Sequence, residues 1–253
     1  MEAFVRYRTP YDAPSRKRYL LPVFFVVLLA TSGGSHNTPT HDTRQTGYSP
    51  TLSESRSSAY WAGTDRYFPN VANYLEKHDP SLELYREPLT REAVIDFFVR
   101  IAGSEEVVVP VLENAERYGI TPTQAFTIAY IESSYRTDVV NINPDPRSVD
   151  RGLFQLNDRS FPQLSDDDFF HPDTNSRYAM RHLRYAMDRA GDDYLTAIAI
   201  YNAGERRVLA GNTPASTRSY VARAEEYRQF LVQQFRSYIL RHFPPEPTAV
   251  VAQ

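Results

Sequence analysis

The chain of 253 residues has no cysteine, a single tryptophan and almost no net charge. Without cysteine it cannot form disulfides, cysteine-ligated zinc sites, iron–sulfur clusters or a catalytic thiol. The 28 basic and 31 acidic residues give a formal net charge of −3, which argues against a general nucleic-acid-binding protein. A mean hydropathy of −0.50 excludes a polytopic membrane protein. Hydrophobic residues still make up 42% of the chain, which is enough to form a folded core.

Long apolar runs are also scarce, and the clearest one follows a basic segment near the N-terminus. Arg16, Lys17 and Arg18 precede eleven apolar residues at positions 20–30. At 1.5 Å per residue this run is too short to cross a hydrocarbon core of roughly 30 Å. The pattern is typical of a secretory signal peptide, and a buried helix or strand of the domain is the alternative. We predict a signal peptide over residues 1–32 and export to the periplasm or cell envelope.

The composition changes along the chain and suggests its domain organisation. Residues 33–58 are rich in Ser, Thr, Gly and Pro and poor in aliphatic residues, so we predict a disordered linker. Residues 59–103 are predicted to be an accessory helical segment that either packs on the main domain or binds an envelope-associated protein partner. The main domain is predicted over residues 104–243, and residues 244–253 begin with several prolines and are predicted to be a flexible tail.

The apolar residues between about positions 60 and 243 recur mostly with a period near 3.6, which predicts a mainly α fold. Thr90, Ser104 and Thr121 are candidate N-caps, and Gly119 is a candidate helix stop. A long loop is predicted over residues 135–152. The predicted helices cover residues 91–102, 105–118, 122–134, 174–189, 193–203 and about 217–241.

The first segment that can carry chemistry is the end of the predicted helix 122–134. Glu132 follows a run of apolar residues, so its carboxyl is expected to lie against apolar side chains. Such a position favours the protonated form that a general acid needs. The alternative for an isolated glutamate is a solvated helix end or one half of an ion pair.

Two further segments contain polar residues next to apolar ones. Residues 152–157 read Gly-Leu-Phe-Gln-Leu-Asn: the glycine permits close backbone approach, and the amides of Gln155 and Asn157 can bind a polar ligand. The alternative is a short strand or turn with two incidental amides. Tyr201 and Asn202 place two hydrogen-bonding side chains at the end of a helix of small residues. The alternative is an ordinary helix stop without a binding role.

Together, in this order and at these separations, Glu-Ser-Ser, Gly-Leu-Phe-Gln-Leu-Asn and Tyr-Asn-Ala-Gly resemble the catalytic domain of the soluble lytic transglycosylase family (goose-type-lysozyme-like, glycoside hydrolase family 23-like). The resemblance extends through Thr-Arg-Ser-Tyr-Val at residues 217–221 and covers about residues 105–235. It implies a lysozyme-like, mainly α domain whose cleft binds glycan strands. It also implies cleavage of peptidoglycan at the β-1,4 bond between N-acetylmuramic acid and N-acetylglucosamine, without metal or cofactor. We expect a monomer.

The resemblance also implies roles for individual residues. Glu132 would act as general acid and then as base, which leaves a 1,6-anhydro end, and Ser133 would lie beside it. Tyr201 would bond near the catalytic carboxyl, and Tyr220 would close the far wall. The substrate-binding residues that it implies are Ser133, Gln155, Asn157, Tyr201, Asn202 and Tyr220.

Asp150 leaves the reaction type open. The segment around it also resembles the part of animal-type lysozymes that carries the second catalytic carboxylate. At about 5–5.5 Å from Glu132, Asp150 would permit a retaining hydrolase. A role in orienting the substrate-binding loop is the interpretation we favour, and Asp150 is counted among the substrate-binding residues. The alternatives to a lyase are a hydrolytic muramidase that uses Glu132 with Asp150, and a peptidoglycan-binding scaffold without activity.

Overall fold

A computed structural model of the chain describes residues 71–143 and 148–244, most of which are helical. The predicted signal peptide, the predicted linker, the start of the accessory segment and nearly all of the predicted tail lie outside the described residues. Within the described ranges, no helix combines the length and the apolar character that crossing a membrane requires.

The mainly α prediction is confirmed for the part of the chain that the structure describes. The helices are α1 Val71–Leu75, α2 Ser81–Arg86, α3 Arg91–Ala102, α4 Glu105–Arg117, α5 Pro122–Ser133, α6 Pro172–Arg189, α7 Tyr194–Ala203, α8 Glu205–Leu209 and α9 Ala215–His242. A short 3₁₀ turn covers Asp167–Phe169. Helix α3 begins and ends at the predicted residues.

The predicted loop over residues 135–152 is wrong, because much of it belongs to a small antiparallel sheet. Its strands are β1 Val140–Asn143, β2 Ser148–Arg151 and β3 Leu156–Asn157, in the order β1-β2-β3. Val140 and Ile142 on β1 are exposed. The first strand therefore lacks the alternation of buried and exposed residues by which a strand is usually recognised.

Helix α5 begins at Pro122 with Thr121 as its N-cap, and Thr121 forms a capping box with Gln124. The Thr121 hydroxyl accepts a hydrogen bond from the Gln124 backbone N–H (3.4 Å), and the Gln124 side chain accepts one from the Thr121 N–H (3.1 Å). The same Thr121 hydroxyl donates to the Asp79 carboxylate at 2.7 Å. These bonds satisfy backbone donors that the first turn of a helix leaves unpaired.

An aromatic core joins α3 to α5 and α9. The Phe98 ring stacks on Phe126, with ring centroids 4.2 Å apart, and lies 6.1 Å from Phe235. Phe97 meets Phe235 edge-on at 5.2 Å. The described part of the predicted accessory segment therefore shares one core with the helices of the main domain.

Helices α6 and α7 pack through His182. Its ring lies 5.0 Å from the Tyr201 ring and 6.1 Å from the Phe161 ring, measured between centroids. Burial lowers the pKa of His182 from 6.5 to about 4, although a hydrogen bond to the Tyr201 backbone acts in the opposite direction. The neutral imidazole is therefore the form that the folded protein prefers.

This preference makes stability depend on pH. Between pH 6.5 and about pH 4, His182 is protonated in the unfolded chain but neutral in the folded chain. The contribution of neutral His182 to the free energy of unfolding is therefore fully present above pH 6.5 and decreases as the pH falls. From pH 7 to pH 5 the loss is about 2 kcal/mol at most, because part of the ring stays accessible to water. Denaturant unfolding of the wild type and of His182→Gln at both pH values measures it. Equal losses in both proteins would contradict the assignment.

Candidate active site

The candidate acid, Glu132, lies in the last turn of α5. The helix buries Ala125, Phe126, Ile128 and Ala129 against the core, whereas Glu132 remains partly exposed. The Tyr220 hydroxyl, near the start of α9, donates a hydrogen bond to Glu132 Oε1 at 2.9 Å. Tyr220 itself is fully buried. The carboxyl is therefore at the surface but is oriented by a donor that the core holds in place.

Ser133, the neighbour of Glu132, is directed back into its own helix. Its hydroxyl donates to the Ala129 carbonyl at 3.1 Å, and the side chain is buried. This bond stabilises the end of the helix that carries Glu132. Ser133 thus lies beside the acid, as the sequence suggests, with its hydroxyl bonded to the backbone.

Asp150 is held by amides of the neighbouring strands. It lies opposite Asn157 in the β2–β3 pair, where side chains on one face meet. Asn157 Nδ2 donates to Asp150 Oδ1 at 2.7 Å, and Asn143 Nδ2 donates to Oδ2 at 3.0 Å. The residue is only 3% exposed. Its carboxylate is thus built into the sheet.

Gln155 occupies a strained position in the turn before β3. Its φ of +49° lies in the left-handed region that residues other than glycine rarely adopt. The side-chain nitrogen donates to the carbonyls of Gly152 (2.8 Å) and Val139 (3.1 Å), and Asn141 donates to the side-chain oxygen (2.6 Å). These three bonds compensate for the strained backbone and tie the turn to β1. In this structure the amide of Gln155 is engaged within the protein.

Asn175 of α6 also holds the turn before β3 through hydrogen bonds, and the sequence did not reveal this residue. Asn175 Oδ1 accepts from the Phe154 N–H at 2.8 Å, and its Nδ2 donates to the Phe169 carbonyl at 2.8 Å. The residue is fully buried on α6. The available signal was an asparagine at helical spacing on the mostly apolar face of α6.

Tyr201 and Asn202 connect α7 to its surroundings. The Tyr201 hydroxyl donates to the Phe154 carbonyl at 3.3 Å, which brings the end of α7 to the turn before β3. Asn202 Oδ1 accepts from the Thr217 hydroxyl at 2.9 Å and so connects α7 to the start of α9.

Tyr201 and Tyr220, the two tyrosines to which the resemblance assigns roles, both form hydrogen bonds within the domain. Tyr201 was expected to bond near the catalytic carboxyl, and Tyr220 was expected to close the far wall. In the structure the Tyr220 hydroxyl donates to Glu132, and the Tyr201 hydroxyl donates to the Phe154 carbonyl. The packing of α9 against α5 places Tyr220 at the end of α5.

The site as described contains no metal ligands in a suitable cluster. In residues 71–143 and 148–244, no group of three or more His, Asp or Glu side chains is arranged to hold a metal ion. The described residues offer a carboxyl with an oriented hydrogen bond and a sheet whose polar side chains bond to one another.

Gly152 provides a test of how the turn before β3 is built. Its φ is +77°, and an added Cβ would lie 1.9 Å from the Phe169 carbonyl oxygen and 2.8 Å from Asn175 Nδ2. We expect Gly152→Ala to lower the free energy of unfolding by at least about 3 kcal/mol, because backbone strain and a clash add together. Urea denaturation measures the loss.

Gly211 is the matched control for that substitution. It has nearly the same φ, +76°, but nothing lies within 4 Å of an added Cβ. Gly211→Ala should cost only about 1–2 kcal/mol, the penalty of the left-handed conformation itself. Equal costs at the two positions would show that the contacts around Gly152 are unimportant.

The comparison with known proteins agrees with this geometry. Residues 110–220 match the family model of the transglycosylase SLT domain, a span that contains Glu132, Asp150 and Tyr201 and ends at Tyr220. No curated protein matches the chain. The helical fold, the matched span and the oriented carboxyl at the end of α5 lead to one conclusion. Residues 110–220 match a transglycosylase SLT domain, a lysozyme-like domain of the lytic transglycosylase type, and this match supports a function that acts on peptidoglycan.

Proposed function

We propose that this protein is an exported lytic transglycosylase that cleaves the β-1,4 bond between N-acetylmuramic acid and N-acetylglucosamine and leaves a 1,6-anhydro end. The observation that carries the proposal is the Glu132 carboxyl, partly exposed at the end of α5 and bonded at 2.9 Å by the buried Tyr220 hydroxyl. A proton donor of glycoside cleavage needs access to substrate and a defined orientation. Glu132 meets both requirements.

The proposed reaction uses this one carboxyl twice. Glu132 gives its proton to the glycosidic oxygen, and the bond from that oxygen to C1 of N-acetylmuramic acid breaks, leaving an oxocarbenium-like centre. The substrate's own N-acetyl carbonyl stabilises that centre. The Glu132 carboxylate then takes the proton of the C6 hydroxyl, and O6 bonds to C1. Glu132 ends protonated, as it began, and no water is consumed.

The surroundings of Asp150 favour this reaction over hydrolysis with two carboxylates. A second catalytic carboxylate has to reach the sugar as a nucleophile or as a base for water. Asp150 is almost fully buried, and each of its oxygens accepts a hydrogen bond from an asparagine amide. These contacts support a structural role for Asp150 in holding the sheet, so that the chemistry rests on Glu132.

A scaffold that only binds peptidoglycan is less well supported. Binding alone does not require a carboxyl whose donor is a fully buried tyrosine on another helix. Export is part of the proposal because peptidoglycan lies outside the cytoplasmic membrane, and the basic and apolar segments at positions 16–30 are suited to it. The predicted envelope-associated partner of residues 59–103 remains a prediction.

Product analysis tests the proposal. The purified full chain is incubated with peptidoglycan sacculi, and the released muropeptides are separated and weighed by mass spectrometry. We expect 1,6-anhydro muropeptides, each lighter by one water than the corresponding hydrolysis product. Glu132→Gln should lower the rate at least 100-fold, since general acid–base catalysis contributes 10²–10⁴-fold.

Two further variants complete this experiment. Glu113→Gln makes the same change at an exposed position of α4 and should leave the rate unchanged. Asp150→Asn should keep the 1,6-anhydro product when rates are compared per folded molecule. Products with reducing ends, together with complete loss of activity in Asp150→Asn, would instead establish a hydrolytic muramidase.

A further inference from the structure

The chain reverses direction after Glu132 through two strained residues. Ser134 (φ +54°) and Tyr135 (φ +66°) are consecutive non-glycine residues in the left-handed region. Such residues persist only where surrounding contacts hold them, and they are concentrated at functional sites. The Ser134 N–H donates to the Tyr130 carbonyl at 2.8 Å, which closes the helix. The Arg136 N–H donates to the Ser133 carbonyl at 3.3 Å across the two strained residues, and the Tyr135 side chain adds the contacts described next.

Tyr135 is held by a second tyrosine on α9. The hydroxyls of Tyr135 and Tyr227 are 2.8 Å apart and form a hydrogen bond. The Tyr227 ring also stacks on Tyr130, with centroids 3.9 Å apart and an angle of 11° between the planes. Tyr227 therefore contacts the chain on both sides of Glu132, two residues before it and three residues after it. We call the residues Tyr130, Tyr135 and Tyr227 the tyrosine clasp.

The bond between the two hydroxyls persists at any pH at which the protein would work. Burial, together with the neighbouring Tyr227, raises the pKa of Tyr135 well above its usual value of 10. Burial raises the pKa of Tyr227 to about 12. Both hydroxyls therefore stay protonated, and the clasp is a constant element of the structure.

The clasp and the Tyr220–Glu132 bond belong to the same pair of helices. Tyr220 and Tyr227 are seven residues apart on α9, about two helical turns, so both lie on the face that contacts α5. Tyr220 forms a hydrogen bond with Glu132. Tyr227 forms a hydrogen bond with Tyr135 and stacks on Tyr130, the residues on either side of Glu132. A movement of the end of α5 along α9 would break both contacts. The clasp thus maintains the alignment in which the Tyr220 hydroxyl reaches the Glu132 carboxyl.

We propose that Tyr227 is a positioning residue for Glu132, acting through its hydrogen bond to Tyr135 and its stacking on Tyr130. The inference rests on the proposed function only in taking Glu132 as the reacting group. It predicts that loss of the Tyr227 hydroxyl lowers the catalytic rate without weakening substrate binding, because the clasp orients the acid and does not itself bind the glycan.

Tyr227→Phe is the first test, since it removes the hydroxyl and keeps the stacked ring. We expect kcat on a soluble glycan strand to fall roughly 10- to 100-fold, the scale of a misplaced catalytic group, with KM changed less than about twofold. Tyr238→Phe is the matched control. Tyr238 lies on the same helix α9 but outside the clasp, and its hydroxyl donates to Asp96 of α3 at 3.2 Å. Its kcat should stay at the wild-type value. An unchanged kcat in Tyr227→Phe would overturn the inference.

The double variant Tyr135→Phe/Tyr227→Phe separates positioning from stability. Tyr227→Phe leaves the Tyr135 hydroxyl buried without its partner, which is costly, whereas the double variant removes both hydroxyls. We therefore expect the melting temperature to recover towards the wild-type value while kcat stays low. Recovery of kcat along with the melting temperature would show that the clasp serves stability alone.

A measurement that does not depend on turnover keeps this inference distinct from the proposed function. In protein with ¹³C-labelled glutamate side chains, NMR follows the Glu132 carboxyl as the pH is changed. Loosening of the Tyr220 donor disfavours the carboxylate, so in Tyr227→Phe the Glu132 titration should move to higher pH. Superimposable titrations for wild type and variant would overturn the inference. Absence of anhydro products from the wild type would overturn only the proposed function.

Discussion

The hydrogen bond from Tyr220 to Glu132 is the interaction on which the site depends. It joins residues 88 positions apart in the chain, so it exists only if α5 and α9 are packed in one particular alignment. That alignment is provided by the aromatic core, in which Phe98 contacts both Phe126 of α5 and Phe235 of α9. A buried tyrosine needs a partner for its hydroxyl, and the carboxyl at the end of α5 supplies it. Packing in the aromatic core thereby orients the Glu132 carboxyl.

Two carboxylates of the domain illustrate how the environment separates roles. Glu132 is partly exposed, lies at a helix end and is bonded by a tyrosine hydroxyl. Asp150 is buried in a sheet and is bonded by two asparagine amides. Burial and the donors around them thus give two side chains of the same chemistry different environments, which suit the different roles that we propose for them. The polar residues of the turn before β3, above all Gln155, likewise form hydrogen bonds within the protein.

Much of the helical framework could be predicted because its signals are local. The capping residues Thr121 and Pro122 and the stop at Gly119 are determined by the backbone chemistry of a few adjacent residues. The three-stranded sheet was not predicted, since β1 exposes Val140 and Ile142 and its pairing with β2 leaves no pattern within a short window. Asn175 was missed because a buried asparagine is recognisable only when its partners on a distant turn are known.

The sequence by itself determined the helical class of the domain, the position of Glu132 at a helix end and the resemblance that the SLT match confirms for residues 110–220. These properties follow from periodicity, capping and motif spacing, which are properties of the linear sequence. Tertiary structure decided that the Tyr220 hydroxyl bonds Glu132, that Asp150 is held by amides, and that Tyr227 contacts both sides of Glu132. Such contacts depend on how helices cross and strands pair, and residues far apart in sequence meet only through the packing of the whole core.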